Sequence, residues 1–429
     1  MDEYHGGKLI GEGSFGCVFH PAINCKNKKN VKDKVSKDKV SKVFFGDKSL
    51  KEAKQEIKHS DNIKKIKGYQ DWSHIWDYSC KPPVYEDIVK VDKGIKECLY
   101  ENDVSVQDFD KYSRMLKGDY GGNTLTSVIT SLFTKQTFNS KKKFTDSFLK
   151  IMKLFKPLFI GLNEMYKHKI SHNDIKGDNI LVNKNTSKYI DFGLSAKYSD
   201  SSFFKHRSIS EFLSDRIYII YPYEFIFMFS TNNILQEELD DLKYDIYRSS
   251  HNYYKLIHEK IFKRNSTKKY LIESINIHLN KDIKNKSKIN IISLLDTYSL
   301  GILLPYTLCK LSNKYNKITK LIKYIESEPI SSFILLFKGM SSQSCENRIK
   351  PYQALKRYLE LEQLYLKGSI NINIQNSVSE SNRLVASEIQ LKVKYKNNKQ
   401  TLKKKRNQRN NRMRTKKRTK KRGRKPKKA

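Results

Sequence analysis

The sequence predicts an α+β fold in which short strands come first and longer helices follow. Residues 8–19 alternate apolar and small residues around three glycines, which is typical of strand, tight turn and strand. Residues 147–166 are apolar at helical spacing and predict a long helix, which Pro157 should kink or divide. Residues 180–182 form a short apolar run that predicts a further strand.

Composition restricts the class of protein. The chain has 429 residues, a net charge of +39 and 38% hydrophobic residues, which is enough for a sizeable core. Its six cysteines form no C-x-x-C pair, so we expect a reduced, intracellular protein with neither a zinc site nor a disulfide framework. We also expect no membrane association, because the most apolar stretch, residues 217–229, is too short to span a bilayer.

A nucleotide-binding turn is predicted near the beginning, where residues 11–18 have the pattern G-x-G-x-x-G-x-V. Glycines let the backbone fold closely over a triphosphate. A dinucleotide site would need a helix after the glycines, but residues 17–19 continue as a strand and Pro21 follows. The candidate nucleotide-binding residues of this segment are Ile10, Gly11, Gly13, Ser14, Phe15, Gly16 and Val18.

Residues 171–193, SHNDIKGDNILVNKNTSKYIDFG, contain most of the predicted chemistry. Phosphoryl transfer needs one carboxylate that orients a hydroxyl, and oxygen ligands that hold magnesium against the phosphates. Asp174 supplies the first, and Asn179 and Asp191 supply the second, in the expected order along the chain.

These motifs resemble the glycine-rich, catalytic and magnesium loops of eukaryotic-type protein kinases. The resemblance covers roughly residues 4–366 and implies a bilobal kinase fold. A small antiparallel β lobe with one main helix would span about 4–116, and a large, mainly helical lobe about 122–366. The segment 115–125 resembles the hinge between the lobes. ATP and Mg²⁺ are the implied cofactors, and a protein is the implied substrate.

The resemblance also assigns roles to residues. Asp174 would orient the substrate hydroxyl and accept its proton, and Lys176, the serine/threonine signature, would neutralise charge on the γ-phosphate. Asn179 and Asp191 would hold Mg²⁺, so the implied catalytic set is Asp174, Lys176 and Asn179.

Two positions in the small lobe have alternatives. Lys42 is the preferred phosphate-binding lysine because an apolar strand continues after it, but Lys37 also follows Val-Ser. Glu56 is preferred over Glu52 as the partner of that lysine, since kinases separate the two residues by roughly 15–20 positions.

Three further motifs complete the resemblance. Asp296, in D-T-Y-S-L-G, would brace the backbone of the catalytic loop, and Arg348 would pair with Glu224. Asp296 lies 72 residues after Glu224, so residues 225–290 are predicted to be an insertion. Asn173 replaces the arginine that receives an activation-loop phosphate, which predicts activity without phosphorylation at sites such as Ser208 and Ser210.

The combination of GSFGCVFHPAINC, S-K in the third strand and the long insertion is similar to the serine/threonine kinases of large nucleocytoplasmic DNA viruses. Such a kinase would act in the host cytoplasm or nucleus, or in the virion. An AT-rich protist would share the Lys-, Asn- and Ile-rich composition, so both origins stay open.

The end of the chain differs in composition. Residues 367–402 are predicted to be a linker, and 403–429, with 17 Lys or Arg and no acid, a disordered basic tail that binds nucleic acid. The sequence KRGRKP approaches an AT-hook, but Lys425 interrupts its core. A solvated tail and a nuclear-localisation role are the alternatives.

Two other functions share some of these motifs. A small-molecule kinase shares the Asp–Asn–Asp core but would not need the D-F-G, P-x-E and D-x-Y-S-x-G motifs together. A pseudokinase tethered to nucleic acid is the non-enzymatic alternative, and the presence of Asp174, Asn179 and Asp191 argues against it.

Overall fold

An antiparallel sheet forms the first part of the molecule and helices dominate the rest, in agreement with the α+β prediction. The computed structural model describes residues 8–13, 16–26, 38–46, 49–90, 94–212, 219–226, 228–229, 253, 255–264 and 284–367. Residues up to Lys367 form one compact unit, whereas the predicted linker from Gly368 onward and the basic tail lie outside the described residues. Within the described ranges, the helices are all too short or too polar to cross a membrane.

The small lobe is built on a five-stranded antiparallel sheet with the order β1-β2-β3-β5-β4. Helix α1 packs beside it and presents Ala53, Glu56 and Ile63 as buried residues. The strands are β1 (Lys8–Gly13), β2 (Gly16–His20), β3 (Lys39–Phe44), β4 (Tyr78–Cys80) and β5 (Arg114–Asp119), and α1 is Ser49–Lys64.

The expectation of one main helix in the small lobe was incomplete. Three short helices separate β4 from β5, namely α2 (Tyr85–Val89), α3 (Gly94–Glu101) and α4 (Val106–Tyr112). Their buried apolar residues join the sheet residues Cys17, Phe19 and Val43 in one cluster. Each helix is too short to produce a clear apolar period, which is why the sequence did not predict them.

The large lobe is organised around α6 (Lys141–Lys167), which is continuous through Pro157 rather than divided. It begins six residues before the predicted start, and the Ser140 hydroxyl accepts a hydrogen bond from the Lys143 N–H at 3.3 Å. Trp72 packs directly on Gly161 of this helix, where a Cβ would lie 2.7 Å from the indole. This close packing explains a glycine inside a long helix.

Among the described residues, the large lobe contains five further strands and eight further α-helices. The strands are β6 (Asn123–Thr124), β7 (Ile170–Ser171), β8 (Ile180–Asn183), β9 (Thr186–Tyr189) and β10 (Ala196–Lys197). The helices are α5 (Leu125–Leu132), α7 (Ser201–Phe212), α8 (Tyr223–Ile226), α9 (Lys284–Ser293), α10 (Leu295–Lys314), α11 (Ile318–Ile325), α12 (Ile330–Met340) and α13 (Pro351–Tyr365). Strands β6, β8 and β9 form one antiparallel sheet, and β7 pairs with β10.

The predicted insertion, residues 225–290, lies mostly outside the described residues. Its described part includes a short π-helical turn, Leu256–Ile261, with Ile257 and Ile261 buried. Arg264 then donates to the backbone carbonyl of Ser341 at 2.9 Å, which anchors this segment to the end of α12.

The small lobe contains two disulfides, so the expectation of a disulfide-free protein was wrong. Cys17 pairs with Cys98, and Cys25 pairs with Cys80, with Cα atoms 6.5 and 5.9 Å apart. The partners lie 81 and 55 residues apart in the sequence, so their spacing contained no signal. The remaining cysteines, Cys309 and Cys345, are free thiols.

This pairing predicts a specific labelling pattern. In protein purified without reductant, alkylation after denaturation should label Cys309 and Cys345 and leave the other four cysteines unlabelled. Reduction should lower the free energy of unfolding, because each disulfide restricts the unfolded chain. In the chain-entropy model, loops of this length stabilise the folded state by roughly 4 kcal/mol each. Peptide mapping by mass spectrometry that finds all six cysteines alkylated would contradict the pairing.

Candidate active site

The glycine-rich turn connects β1 and β2, with Gly13 opposite Gly16 in the strand register. Gly16 has φ 155°, and a Cβ at this position would collide with the carbonyl oxygen of Val43. Only glycine therefore fits here. Ile10, Gly11 and Val18 lie on the same two strands, and Ser14 and Phe15 lie outside the described residues.

Lys42 and Glu56 form an ion pair across the small lobe. Lys42 Nζ lies 2.9 Å from Glu56 Oε1, and the side chains are 15% and 5% exposed. Lys42 belongs to the central strand β3, and Glu56 to the sheet-facing side of α1. Glu52 has a weaker effect than Glu56 on the pKa of Lys42. The other alternative, Lys37, lies outside the described residues.

Asp191 of the large lobe shares this environment. Burial raises the pKa of Glu56 to about 7 against the attraction of Lys42, and Asp191 adds to the increase. Burial lowers the pKa of Lys42, but Glu56 and Asp191 together raise it above its ordinary value. Lys42 is therefore stabilised as a cation by two acidic side chains, Glu56 and Asp191. Glu56 Oε2 is buried without a hydrogen-bond partner among the described residues.

Asp174, Lys176 and Asn179 come together in the loop after β7. Lys176 Nζ lies 2.9 Å from Asp174 Oδ2, and Asn179 Nδ2 donates to the same oxygen at 2.7 Å. Asn179 Nδ2 also donates to the backbone carbonyl of Asp174 at 3.0 Å. Among the contacts of the described residues, Oδ1 of Asp174 is thus the oxygen left to accept a proton.

The backbone holds Asp191 next to this loop. The Ile190 N–H donates to the Asn179 carbonyl at 3.0 Å, and the ring of His172 hydrogen-bonds the Ile190 carbonyl at 2.9 Å. Asp191 itself is in the left-handed region at φ 59°. Burial alone would raise the pKa of Asp191, but the positive charge of Lys42, with smaller effects of His172, lowers it below its ordinary value. Asp191 is therefore ionised.

The donor set fits a magnesium ion bound together with a nucleotide. Asp191 offers a carboxylate, and Asn179, whose amide nitrogen is directed at Asp174, offers its amide oxygen. These are the hard oxygen ligands that Mg²⁺ prefers, and phosphates usually complete its coordination. The described residues contain no group of three His, Cys, Asp or Glu side chains that could hold a metal unaided.

Asp296 at the start of α10 contacts the segment 171–179, which the sequence predicts to be the catalytic loop. Its Oδ2 accepts from the His172 N–H at 2.6 Å and from the Ser171 hydroxyl at 3.1 Å, and its Oδ1 accepts from the Asn173 N–H at 2.9 Å. The backbone contacts expected of this aspartate are thus present. Gly301 of the same helix lies against Met340, where a Cβ would come within 2.6 Å of the methionine Cβ.

Glu224 and Arg348 also lie together. Arg348 Nη2 is 2.5 Å from Glu224 Oε1, and the two side chains are 0% and 5% exposed. Arg348 donates further to the carbonyls of Leu294 and Gln343, at 3.1 and 3.2 Å. The pair joins α8 to the segment before α13.

The structure gives contacts to Tyr221 and to Arg207, one of the basic residues that the sequence offered as an alternative receiver of an activation-segment phosphate. The hydroxyl of Tyr221 donates to the carbonyl of Asn173, and Arg207 Nε donates to the Tyr221 hydroxyl at 3.2 Å. The sequence showed Tyr221 only as part of Y-P-Y-E. Its contact with Asn173 could not be predicted, because it depends on the path of the chain between the two residues. Ser208 is fully buried, so of the two serines considered as phosphorylation sites only Ser210 is exposed.

Comparisons with known proteins agree with this geometry. Residues 110–359 match the family described as "Protein kinase domain". CTD kinase subunit alpha of Saccharomyces cerevisiae is 40% identical over 58 residues, which cover 13% of this chain. The aligned segment spans only 11% of that relative's length. The family match begins at residue 110 and so does not cover Lys42 and Glu56, whose ion pair lies before it.

The pKa of Glu56 predicts a pH dependence of stability. A carboxyl with a pKa of about 7 when folded and an ordinary value of 4.5 when unfolded binds its proton more tightly in the folded state. Its stabilising contribution is therefore fully present below about pH 4.5 and is lost as the pH rises through about 7. The free energy of unfolding of nucleotide-free wild type, measured in urea at several pH values, should therefore include a decrease as the pH rises from about 4.5 through 7. Glu56→Gln should lack the part of this decrease that comes from Glu56.

Glu97, exposed on α3, supplies the matched control, since Glu97→Gln should keep the wild-type pH dependence. Identical pH dependence in wild type and Glu56→Gln would show that Glu56 does not titrate in this range.

Proposed function

Because this chain belongs to the protein kinase family, we propose that it is an ATP-dependent serine/threonine protein kinase. The observation that carries the proposal is the convergence of Lys176 and Asn179 on Asp174. We take the kinase domain to span residues 4–366, with a small lobe over about 4–116 and a large lobe over about 122–366. Its origin, a large DNA virus or an AT-rich protist, stays open.

We assign the proton transfer to Asp174. The substrate hydroxyl forms a bond to the γ-phosphorus as the bond from that phosphorus to the β–γ bridging oxygen breaks, and ADP leaves with the bonding electrons. Asp174 accepts the hydroxyl proton at Oδ1, while Lys176 and Asn179 hold Oδ2. Lys176 is also placed to offset negative charge on the transferred group, as its serine/threonine signature implies.

The nucleotide-binding role belongs to Lys42 and the glycine-rich turn. Lys42 would contact the α- and β-phosphates, and the ion pair with Glu56 would keep the Lys42 ammonium group directed into the site. Asn179 and Asp191 would hold Mg²⁺, which when bound neutralises charge on the phosphates. The absence of a side chain at Gly16 lets the backbone of the turn approach the phosphates closely.

The geometry favours an enzyme over a pseudokinase. Lys42 is paired with Glu56, and Oδ2 of Asp174 is held by Lys176 and Asn179. A small-molecule kinase would not need the buried Glu224–Arg348 pair together with the Asp296 contacts.

The metal and base assignments can be tested together. Asp191→Ala should abolish transfer of the γ-phosphate to a generic basic protein, because a carboxylate ligand of Mg²⁺ is lost. Asp174→Asn should lower kcat by about 10²–10⁴-fold, because the proton acceptor is removed. Phosphoamino-acid analysis of the product should show phosphoserine or phosphothreonine.

Asp178→Asn is the matched control, since Asp178 is in the same loop but exposed, and its activity should be near wild type. Wild-type-like turnover of Asp191→Ala with magnesium as the only divalent ion would refute the metal assignment. Nucleotide binding without transfer by wild type would favour a pseudokinase.

We further propose that residues 403–429, which lie outside the described residues, bind nucleic acid through their 17 positive charges. Deleting these residues should remove most of the DNA affinity and leave activity on a short peptide nearly unchanged. Binding should weaken steeply with salt and depend little on base sequence, because counterion release dominates. Equal DNA affinity of the truncated and full-length proteins at moderate salt would place the binding site elsewhere.

A further inference from the structure

The peptide that joins Asn173 to Asp174 is held from two sides. The Asp174 N–H donates to His172 Nδ1 at 3.3 Å, and the Asn173 carbonyl accepts from the Tyr221 hydroxyl. The preceding peptide is fixed as well, since the Asn173 N–H donates to Asp296 Oδ1 at 2.9 Å. Asn173 has φ 64°, a conformation that a non-glycine residue keeps only when its surroundings enforce it. The carbonyl that Tyr221 holds directly precedes Asp174.

Tyr221 belongs to a chain of buried polar contacts that begins on α7. Arg207 Nη2 lies 2.9 Å from Glu211 Oε1, and Arg207 Nε donates to the Tyr221 hydroxyl. The guanidinium also lies 5.5 Å from the centre of the Tyr221 ring. A carbonyl can only accept, so the Tyr221 hydroxyl gives its proton to Asn173 and accepts from Arg207.

Helix α7 is itself fixed to the structure that follows it. Ser208 Oγ lies 2.8 Å from the Phe225 carbonyl and 3.1 Å from the Ile226 carbonyl, and Ser208 is fully buried. Arg207 is therefore presented by a helix tied to α8, which Arg348 in turn holds through Glu224. These contacts run from the large-lobe core to the catalytic loop.

We propose that Tyr221, held by Arg207, is a positioning residue that sets the orientation of Asp174 and replaces the contact between an activation-loop phosphate and an arginine. This inference rests on the proposed kinase function. The physical reason is that rotation of the 173–174 peptide would displace the Asp174 carboxylate, and a displacement of about 1 Å at a reacting group can cost about 10²-fold in rate.

Tyr221→Phe removes the hydroxyl and keeps the ring, and Tyr358→Phe is the matched control. Tyr358 is also fully buried, and its hydroxyl donates to a backbone carbonyl, that of Met152, at 2.7 Å. With phosphatase-treated protein, Tyr221→Phe should lower kcat by about 10–100-fold with KM for ATP within about twofold of wild type. Tyr358→Phe should keep kcat within about twofold. Equal kcat for the two variants overturns the proposal.

A double-variant comparison tests whether Arg207 acts through Tyr221. Arg207→Ala should lower kcat less than Tyr221→Phe, and the double variant should be no slower than Tyr221→Phe alone, because the two residues serve one contact. If the kcat losses of the two single variants multiply in the double variant, Arg207 acts separately from Tyr221. That result would overturn the proposal that Arg207 acts through Tyr221. Arg207→Ala also serves as the test if Tyr221→Phe does not fold.

Hydrogen exchange gives a readout that does not depend on activity. Exchange at residues 172–176 should be faster in Tyr221→Phe than in wild type and unchanged in Tyr358→Phe. If wild type transfers no phosphate, the proposed function fails, and this measurement still decides the structural part. Unchanged exchange in Tyr221→Phe overturns the positioning role.

Discussion

The carboxylate of Asp296 holds the backbone on which the rest of the site depends. It accepts hydrogen bonds from Ser171, His172 and Asn173, and so connects the catalytic loop to the buried helix α10. Burial raises the pKa of Asp296, while His172 and the backbone N–H donors oppose the increase. The position of Asp174 is therefore coupled to the packing of α10, including the close contact of Gly301 with Met340.

Two ion pairs of this molecule have different physical roles. Arg348 and Glu224 are almost completely buried, and losing one partner of such a pair typically costs about 3–5 kcal/mol because a charge is left unpaired. Lys42 and Glu56 lie at the cleft, where Lys42 keeps some exposure and also interacts with Asp191. The first pair joins two segments of the large lobe, and the second fixes a cation near Asp191.

The sequence predicted the parts of the structure that depend on local motifs. The strand–turn–strand at Gly16, the Asp174–Asn179 loop and the Asp191 turn each need particular residues at fixed spacing, so they could be predicted without long-range information. The preference for Glu56 over Glu52 relied on spacing alone, and the structure pairs Glu56 with Lys42.

The features that the sequence did not predict depend on how distant segments pack. The pairing of Cys17 with Cys98, and the contact of Tyr221 with Asn173, are set by the path of the chain between them. The short helices before β5 are stabilised by the apolar cluster they share with the sheet rather than by an apolar period of their own. Pro157 did not divide α6, since tertiary packing on both of its sides outweighs one missing hydrogen bond.

The two disulfides have a mechanical consequence for the cleft. One ties the strand that leaves the glycine-rich turn to α3, and the other ties the segment after that strand to the end of β4. Any motion that opens the cleft must therefore carry the sheet and α3 together, because the first disulfide links them covalently.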